Sequence, residues 1–164
     1  MNLAEKILTL DRRWIYLGIA IIAIAFYIHP VPLPIGVSPQ TQACYDAIES
    51  VKPAEIVHLT VDYSPGGMPE LFPMTKAVIR RLFEKDVKIV ASTLWPEGVP
   101  ITERAFKEVL EELSAEGIHK KYGIDYVNLG YKVGQDAVMT RLGTSFKATY
   151  PEDARGTKVE DIPL

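Results

Sequence analysis

The chain has 164 residues and a mass of 18.3 kDa, room for one domain of about 100–150 residues with about thirty to spare, so two domains are not expected. A composition of 48% hydrophobic and 24% charged residues, with 11 Gly, 12 Pro and a mean hydropathy of +0.07, excludes disordered, collagenous and low-complexity chains. The net charge of −3 offers no basic surface for nucleic-acid phosphates, and the single cysteine, Cys44, excludes an internal disulfide framework and a cysteine-based zinc site.

Apolar residues concentrate near the start. No Asp, Glu, Lys or Arg occurs from Trp14 to Ala43, and 17 of the 22 residues from Trp14 to Ile35 are hydrophobic. A helix apolar on every face belongs in a bilayer or a deep core, and Leu10 to His29 supplies the ~20 residues that ~30 Å of hydrocarbon requires. Pro30, Pro32 and Pro34 then end the helix, with Trp14, Tyr16 and Tyr27 where interfacial aromatics are expected. Lys6, Arg12 and Arg13 precede the span and the next basic residue is Lys52, so the positive-inside rule puts the N-terminus in the cytoplasm and the rest outside the cell membrane. A cleaved signal peptide shares this signature. The run is long for one, and Pro39 follows the nearest small-x-small tripeptide, Gly36-Val37-Ser38, which favours an uncleaved anchor over residues 1–35.

Residues 36–164 carry 15 basic and 19 acidic residues, ordinary composition for a folded domain. Ser38-Pro39 opens a short helix with Ala43, Ala47, Ile48 and Val51 on one side, and Lys52-Pro53 stops it. Cys44 on this helix is expected to be a buried, inert thiol. Ile56 to Asp62 alternates as a strand and ends at the turn Ser64-Pro65-Gly66-Gly67. A helix is expected from near Glu70 to about Lys85, with Pro73 in its first turn, where a missing donor is tolerated. Val87 to Thr93 is the second strand, covered on both faces, and Thr102 to about Tyr122 the longest helix, unless Gly117 breaks it. Its exposed pairs four apart are Glu103–Lys107, Lys107–Glu111 and Glu116–Lys120. Tyr126 to Gly130 is the third strand, and Gln135 to Leu142 a short helix stopped by Gly143. Residues 144–164 show no convincing further strand.

Alternating strand and helix predicts an α/β domain with a parallel sheet of at least three strands and right-handed crossovers, a three-layer Rossmann-like or flavodoxin-like arrangement. The stretches Val61-Asp62-Tyr63-Ser64-Pro65-Gly66-Gly67-Met68-Pro69-Glu70-Leu71, Thr93-Leu94-Trp95-Pro96 and Asp125-Tyr126-Val127-Asn128-Leu129-Gly130-Tyr131-Lys132 are similar to an uncharacterised prokaryotic family of membrane-anchored Rossmann-like α/β proteins. The resemblance covers most of residues 40–160. It implies further strands and a second membrane helix that this chain does not carry, so that the domain is incomplete at its C-terminus, and it implies no activity.

Ligands of open parallel sheets sit beyond the carboxyl ends of the strands, where three loops bring candidate binding residues: Asp62, Ser64, Gly66 and Gly67 from the first, Thr93 and Trp95 from the second, Asn128 and Lys132 from the third. Lys132 is placed to meet Asp62 across the site, and the glycines to let an anion approach a helix N-terminus. The loop is neither a Walker A nor a G-x-G-x-x-G sequence. No catalytic set is complete: His58 and Asp62 lie ~13 Å apart on one strand, and Ser64 has no base. His119 reads as a solvated residue at a helix end, and no metal-ligand spacing is present, although Asp62 and Asp136 are oxygen donors. No catalytic residue, cofactor or metal is therefore assigned. The reading that results is a single-pass membrane protein whose domain is a binding or assembly module, with the bilayer and a protein partner or second copy as its contacts. The alternative is an enzyme or sensor that takes an anionic or nucleotide-like small molecule at the three loops.

Overall fold

The computed structural model describes residues 11–29 and 36–164, and the chain divides into two compact units, Met1–Ser38 and Pro39–Leu164. In the first unit, α1 spans Arg12–Ile28, and the Asp11 side chain caps it by accepting a hydrogen bond from the Arg13 N–H at 3.0 Å. Its residues are exposed apart from the half-buried Gly18. The expected span is shortened: α1 has 17 residues and opens on two arginines, so its apolar part is about 23 Å long at ~1.5 Å per residue, against ~30 Å of hydrocarbon. Among the described residues no helix is long and apolar enough to cross a membrane. Leu10, the expected start of the span, and the prolines 30, 32 and 34 lie outside the described residues.

The second unit opens with α2, Pro39–Ser50. Ile48 and Val51 pack toward the core, but Ala43 and Ala47 are exposed, and so is Cys44, contrary to the buried thiol expected of it. The tie between α2 and its neighbour is polar as much as apolar. Glu49 meets Arg81 and Lys85, and the Arg81 hydrogen bond is the largest of the effects that hold its carboxyl at about 2, below the usual range.

Three strands come next: β1 Ile56–Thr60, β2 Lys88–Thr93 and β3 Tyr126–Tyr131, all parallel in the order β1-β2-β3. The connecting helices are α3, Met68–Glu84, and α4, Gly98–Ala115. Because the strand order runs straight through without reversing, both crossovers place their helices on the same face. Phe72, Ile79, Leu82 and Phe83 of α3 and Ile101, Phe106, Val109 and Leu113 of α4 meet Val61, Ile89, Ala91 and Tyr126 there in one core. A reversal of strand order, which opens a ligand crevice in doubly wound sheets, is absent from these three strands.

The other face is covered by the C-terminal segment after β3. Helices α5 (Gln135–Leu142) and α6 (Phe146–Thr149) and a 3-10 turn at Val159–Asp161 bring Val138, Leu142, Tyr150, Val159 and Ile162 onto Val127 and Leu129. Helix Gln135–Leu142 forms as expected and residues 144–164 form no further strand, yet together they make the third layer.

Two of the boundaries differ from the sequence expectation for local physical reasons. Pro65–Gly67 winds as a 3-10 turn that runs into α3, so α3 starts at Met68 and Pro73 is its sixth residue. The longest helix stops at Ala115 because Gly117 adopts a left-handed φ of +85°, which leaves His119 exposed in the loop that follows. Of the expected pairs along that helix only Lys107–Glu111 forms, at 4.0 Å; Glu103 bonds Arg155, Glu116 bonds Arg80 and Lys120 bonds Asp86.

Candidate functional site

The loops after β1 and β2 are stitched to one another. Asp62 Oδ1 accepts hydrogen bonds from the Leu94 N–H at 2.7 Å and from Thr93 Oγ1 at 3.2 Å. Thr93 is fully buried; its hydroxyl accepts from the Trp95 N–H at 2.9 Å, and its single hydrogen is shared among Val61 O, Trp95 O and Asp62. Gly98 sits beneath this knot: a Cβ there would fall 2.2 Å from Thr93 Oγ1 and 2.3 Å from Val61 O. Sequence pattern alone marks Gly98 only as part of a turn.

The anion cradle expected at Ser64–Gly67 does not open in this geometry. The Gly67 N–H bonds Ser64 O at 2.9 Å and the Met68 N–H bonds Pro65 O, so both donors are engaged within the turn. Gly66 and Gly67 have no left-handed φ, and the Ser64 side chain caps nothing. Trp95 is 42% exposed at the sheet end. Asn128 is fully buried and faces α4: its Nδ2 donates to Glu103 Oε1 at 2.9 Å and its Oδ1 accepts from the Gly130 N–H at 3.0 Å. Lys132 forms no ion pair with Asp62 or any other carboxylate among the described residues; its Nζ lies 5.8 Å from the centre of the Tyr150 ring. Asp62 and Thr93 are therefore brought together, whereas Asn128 and Lys132 are directed elsewhere. Among the described residues no three His, Cys, Asp or Glu side chains are grouped to hold a metal.

A polar cluster that sequence reasoning missed lies on the second face. His58 Nε2 is 2.8 Å from Ser92 Oγ, and the His58 ring meets Phe146 edge-on at 5.0 Å. The Tyr150 hydroxyl is buried without a hydrogen-bond partner among the described residues. The signal is the parallel register, which sets His58 opposite Val90 and so one same-face position from Ser92. Residue types alone do not reveal that register. Beside the cluster runs an apolar groove of about 390 Å³ whose lining includes Ile56, Val127, Leu129, Phe146 and Ile162.

Burial on the Ser92 side lowers the His58 pKa from an ordinary 6.5, with the Asp62 charge opposing. A folded pKa below the unfolded one means that the unfolded chain takes up the proton first as pH falls. Stability is then level above about pH 7.5, declines below about 6.5 and levels off again below the folded value. The expected result is a urea midpoint that drops more between about pH 7.5 and 5.5 in the natural chain than in His58→Gln; equal drops would exclude His58 as the source.

Comparison of the chain with protein-family models, with curated proteins and with solved structures found no match.

Proposed function

We propose that the chain is a membrane-anchored assembly module that joins a second copy of itself through the outer edge of β1. The observation that carries this reading is the difference between the two edges of the sheet. At β3 the outward carbonyls of Tyr126 and Asn128 are taken by the N–H groups of Gly123 and Ala154, both at 2.8 Å. At β1 no described strand lies alongside, and its five residues are exposed or half-buried.

Hydrogen-bond direction defines what this edge can accept. Lys88 N–H bonds Glu55 O and Val61 N–H bonds Ser92 O, so the alternation of a parallel ladder turns residues 57 and 59 inward and leaves the backbone groups of Ile56, His58 and Thr60 outward. Such an edge is self-complementary about a two-fold axis at His58. In an antiparallel pair, His58 faces His58 of the other copy and Ile56 faces Thr60, which forms about six backbone hydrogen bonds and a six-stranded sheet. Strand edges that avoid pairing carry Lys, Pro or a bulge, and Ile56–Thr60 has none of these.

The charge-free run from Trp14 to Ala43 and the basic residues before it support an anchor with the domain outside the cytoplasm. Two chains held in one bilayer meet at a raised effective concentration, which compensates for the small area of a single strand pair. The alternative, an anionic-ligand site at the three loops, retains the support of the uncapped Ser64 hydroxyl and of Lys132, which has no carboxylate partner among the described residues.

Cysteine scanning tests the assembly in membranes, in a Cys44→Ser background. His58→Cys places two thiols on residues with Cα atoms about 5.5 Å apart, within disulfide range, and is expected to give an oxidised dimer, whereas Thr60→Cys, which faces Ile56, is not. No dimer from His58→Cys, or equal dimer at both positions, overturns the reading. Release of the chain from the membrane pellet by a carbonate wash overturns the anchor.

A further inference from the structure

His58 is the only titratable residue of β1, and its ring lies on the second face of the sheet against Ser92 and Phe146. Within one chain its surroundings are mixed in charge. From β2 come Ser92 and the half-buried Lys88, which shares this face two residues before Val90, the residue opposite His58. From α6 come Phe146 and Lys147, from the 3-10 turn only the apolar Val159 and Ile162, and Leu164 adds its main-chain carboxylate. Asp62 acts from the loop after β1, and the buried Tyr150 phenol, its pKa raised by burial, stays neutral. The Ser92 hydroxyl can donate to a neutral imidazole or accept from a charged one, so this contact survives titration of the ring.

Antiparallel pairing at the β1 edge upsets that balance. Residues directly opposite in such a ladder share a face, so the incoming strand brings Ile56, His58 and Thr60 to the second face, and of these only His58 titrates. The two His58 Cα atoms are then about 5.5 Å apart. Neutral imidazoles are compatible at this spacing, whereas two imidazolium rings repel, the more so because the second strand displaces the water that screens them. The separated chain therefore takes up the proton more readily than the paired one, and by linkage the proton favours separation. Burial within one chain already lowers the His58 pKa, and pairing acts in the same direction. We propose, on the basis of the edge pairing above, that His58 is a pH gate on assembly: two copies hold together while both rings are neutral and part when the rings are charged.

Energy transfer between full chains in proteoliposomes tests the gate, with donor and acceptor dyes on Cys44, the exposed single thiol, and the protein-to-lipid ratio varied at each pH. The dissociation constant is expected to rise about tenfold between about pH 7.5 and 5.5, with the far-UV circular dichroism unchanged. His58→Gln should associate with one constant across this range, and Lys147→Gln should keep the rise of the natural chain. Association at about pH 7.5 that does not weaken in acid, or a rise that His58→Gln shares, overturns the gate and leaves the edge pairing standing. Loss of the far-UV signal together with association also overturns it, because the cause is then unfolding. No association at either pH overturns the pairing and the gate together.

Discussion

Gly98→Ala is expected to lower the stability of the domain by about 3 kcal/mol, read as a fall in the urea midpoint with an unchanged slope. The cause is steric and has no soft outlet. A methyl group at the first residue of α4 would overlap Thr93 Oγ1 and the Val61 carbonyl, at 2.2 and 2.3 Å. Thr93 is fully buried and β-branched, so its side chain has few other rotamers, and the Val61 oxygen is backbone. Relief would require α4 to lift from the sheet end, or Thr93 to shift and give up its bonds to Val61, Asp62 and Trp95. Gly67→Ala is the contrasting case. Its Cβ would meet only Leu71 Cδ1 at 3.3 Å and Tyr63 Cβ at 3.6 Å, and its φ of −86° suits any residue, so a change within about 1 kcal/mol is expected. Equal losses at the two glycines would show that the knot beneath Thr93 is not a tight contact.

The order of strands and helices was legible in the sequence because it depends on local patterns. The alternation in Ile56–Thr60, the apolar stripes of α3 and α4, and the Gly143 stop after Gln135–Leu142 each arise from a period or a terminating residue. What was not legible depends on register and on contacts distant in sequence. The strand order that puts both crossover helices on one face is set by packing, and nothing within a strand encodes its neighbour. Asp62, Thr93 and Asn128 qualify as ligand-binding candidates because polar residues cluster at strand ends, which is true of binding loops and of loops that must satisfy their own backbone. The structure engages all three internally: Asp62 with Leu94 and Thr93, Thr93 with Trp95, Asn128 with Glu103 and Gly130. His58 and Ser92, 34 residues apart, meet only once the register is known. The C-terminal layer escapes sequence reasoning for a similar reason: its apolar residues, Tyr150, Val159 and Ile162, are too widely spaced to show a period, and a polar turn positions them.

That turn carries the second large effect: Asp153→Ala is expected to cost about 3 kcal/mol. The Asp153 carboxylate is nearly buried and accepts three hydrogen bonds, from Tyr122 Oη at 2.8 Å, the Arg155 N–H at 2.9 Å and the Thr157 N–H at 2.7 Å. Its own N–H bonds Thr157 O, which closes the hairpin whose bridge is Glu152–Lys158. The hairpin is pinned to the rest of the domain by Ala154 N–H on Asn128 O and by Arg155, which lies 3.5 Å over the Tyr122 ring and bonds Glu103 at 2.9 Å. Glu103 in turn accepts from Asn128, so one connected set of polar groups ties the C-terminal layer to β3 and α4. Removal of the carboxylate leaves two turn N–H groups without their acceptor and the half-buried phenol with only the longer bond to Asn128 O at 3.4 Å, and unmet donors of this kind cost more than the bond itself contributed. Burial, reinforced by Asp153, raises the Tyr122 pKa above its ordinary 10, so the phenol remains a donor throughout the neutral range. Asp153→Asn keeps one acceptor oxygen and is expected to lose about half as much. Hydrogen exchange separates this mechanism from general destabilisation: in Asp153→Ala the amides of 154–159 and the outer edge of β3 should exchange faster, while those of β1 and α3 stay protected. Uniform acceleration across the domain would mean that Asp153 is only one contact among many and not the fastening of the third layer.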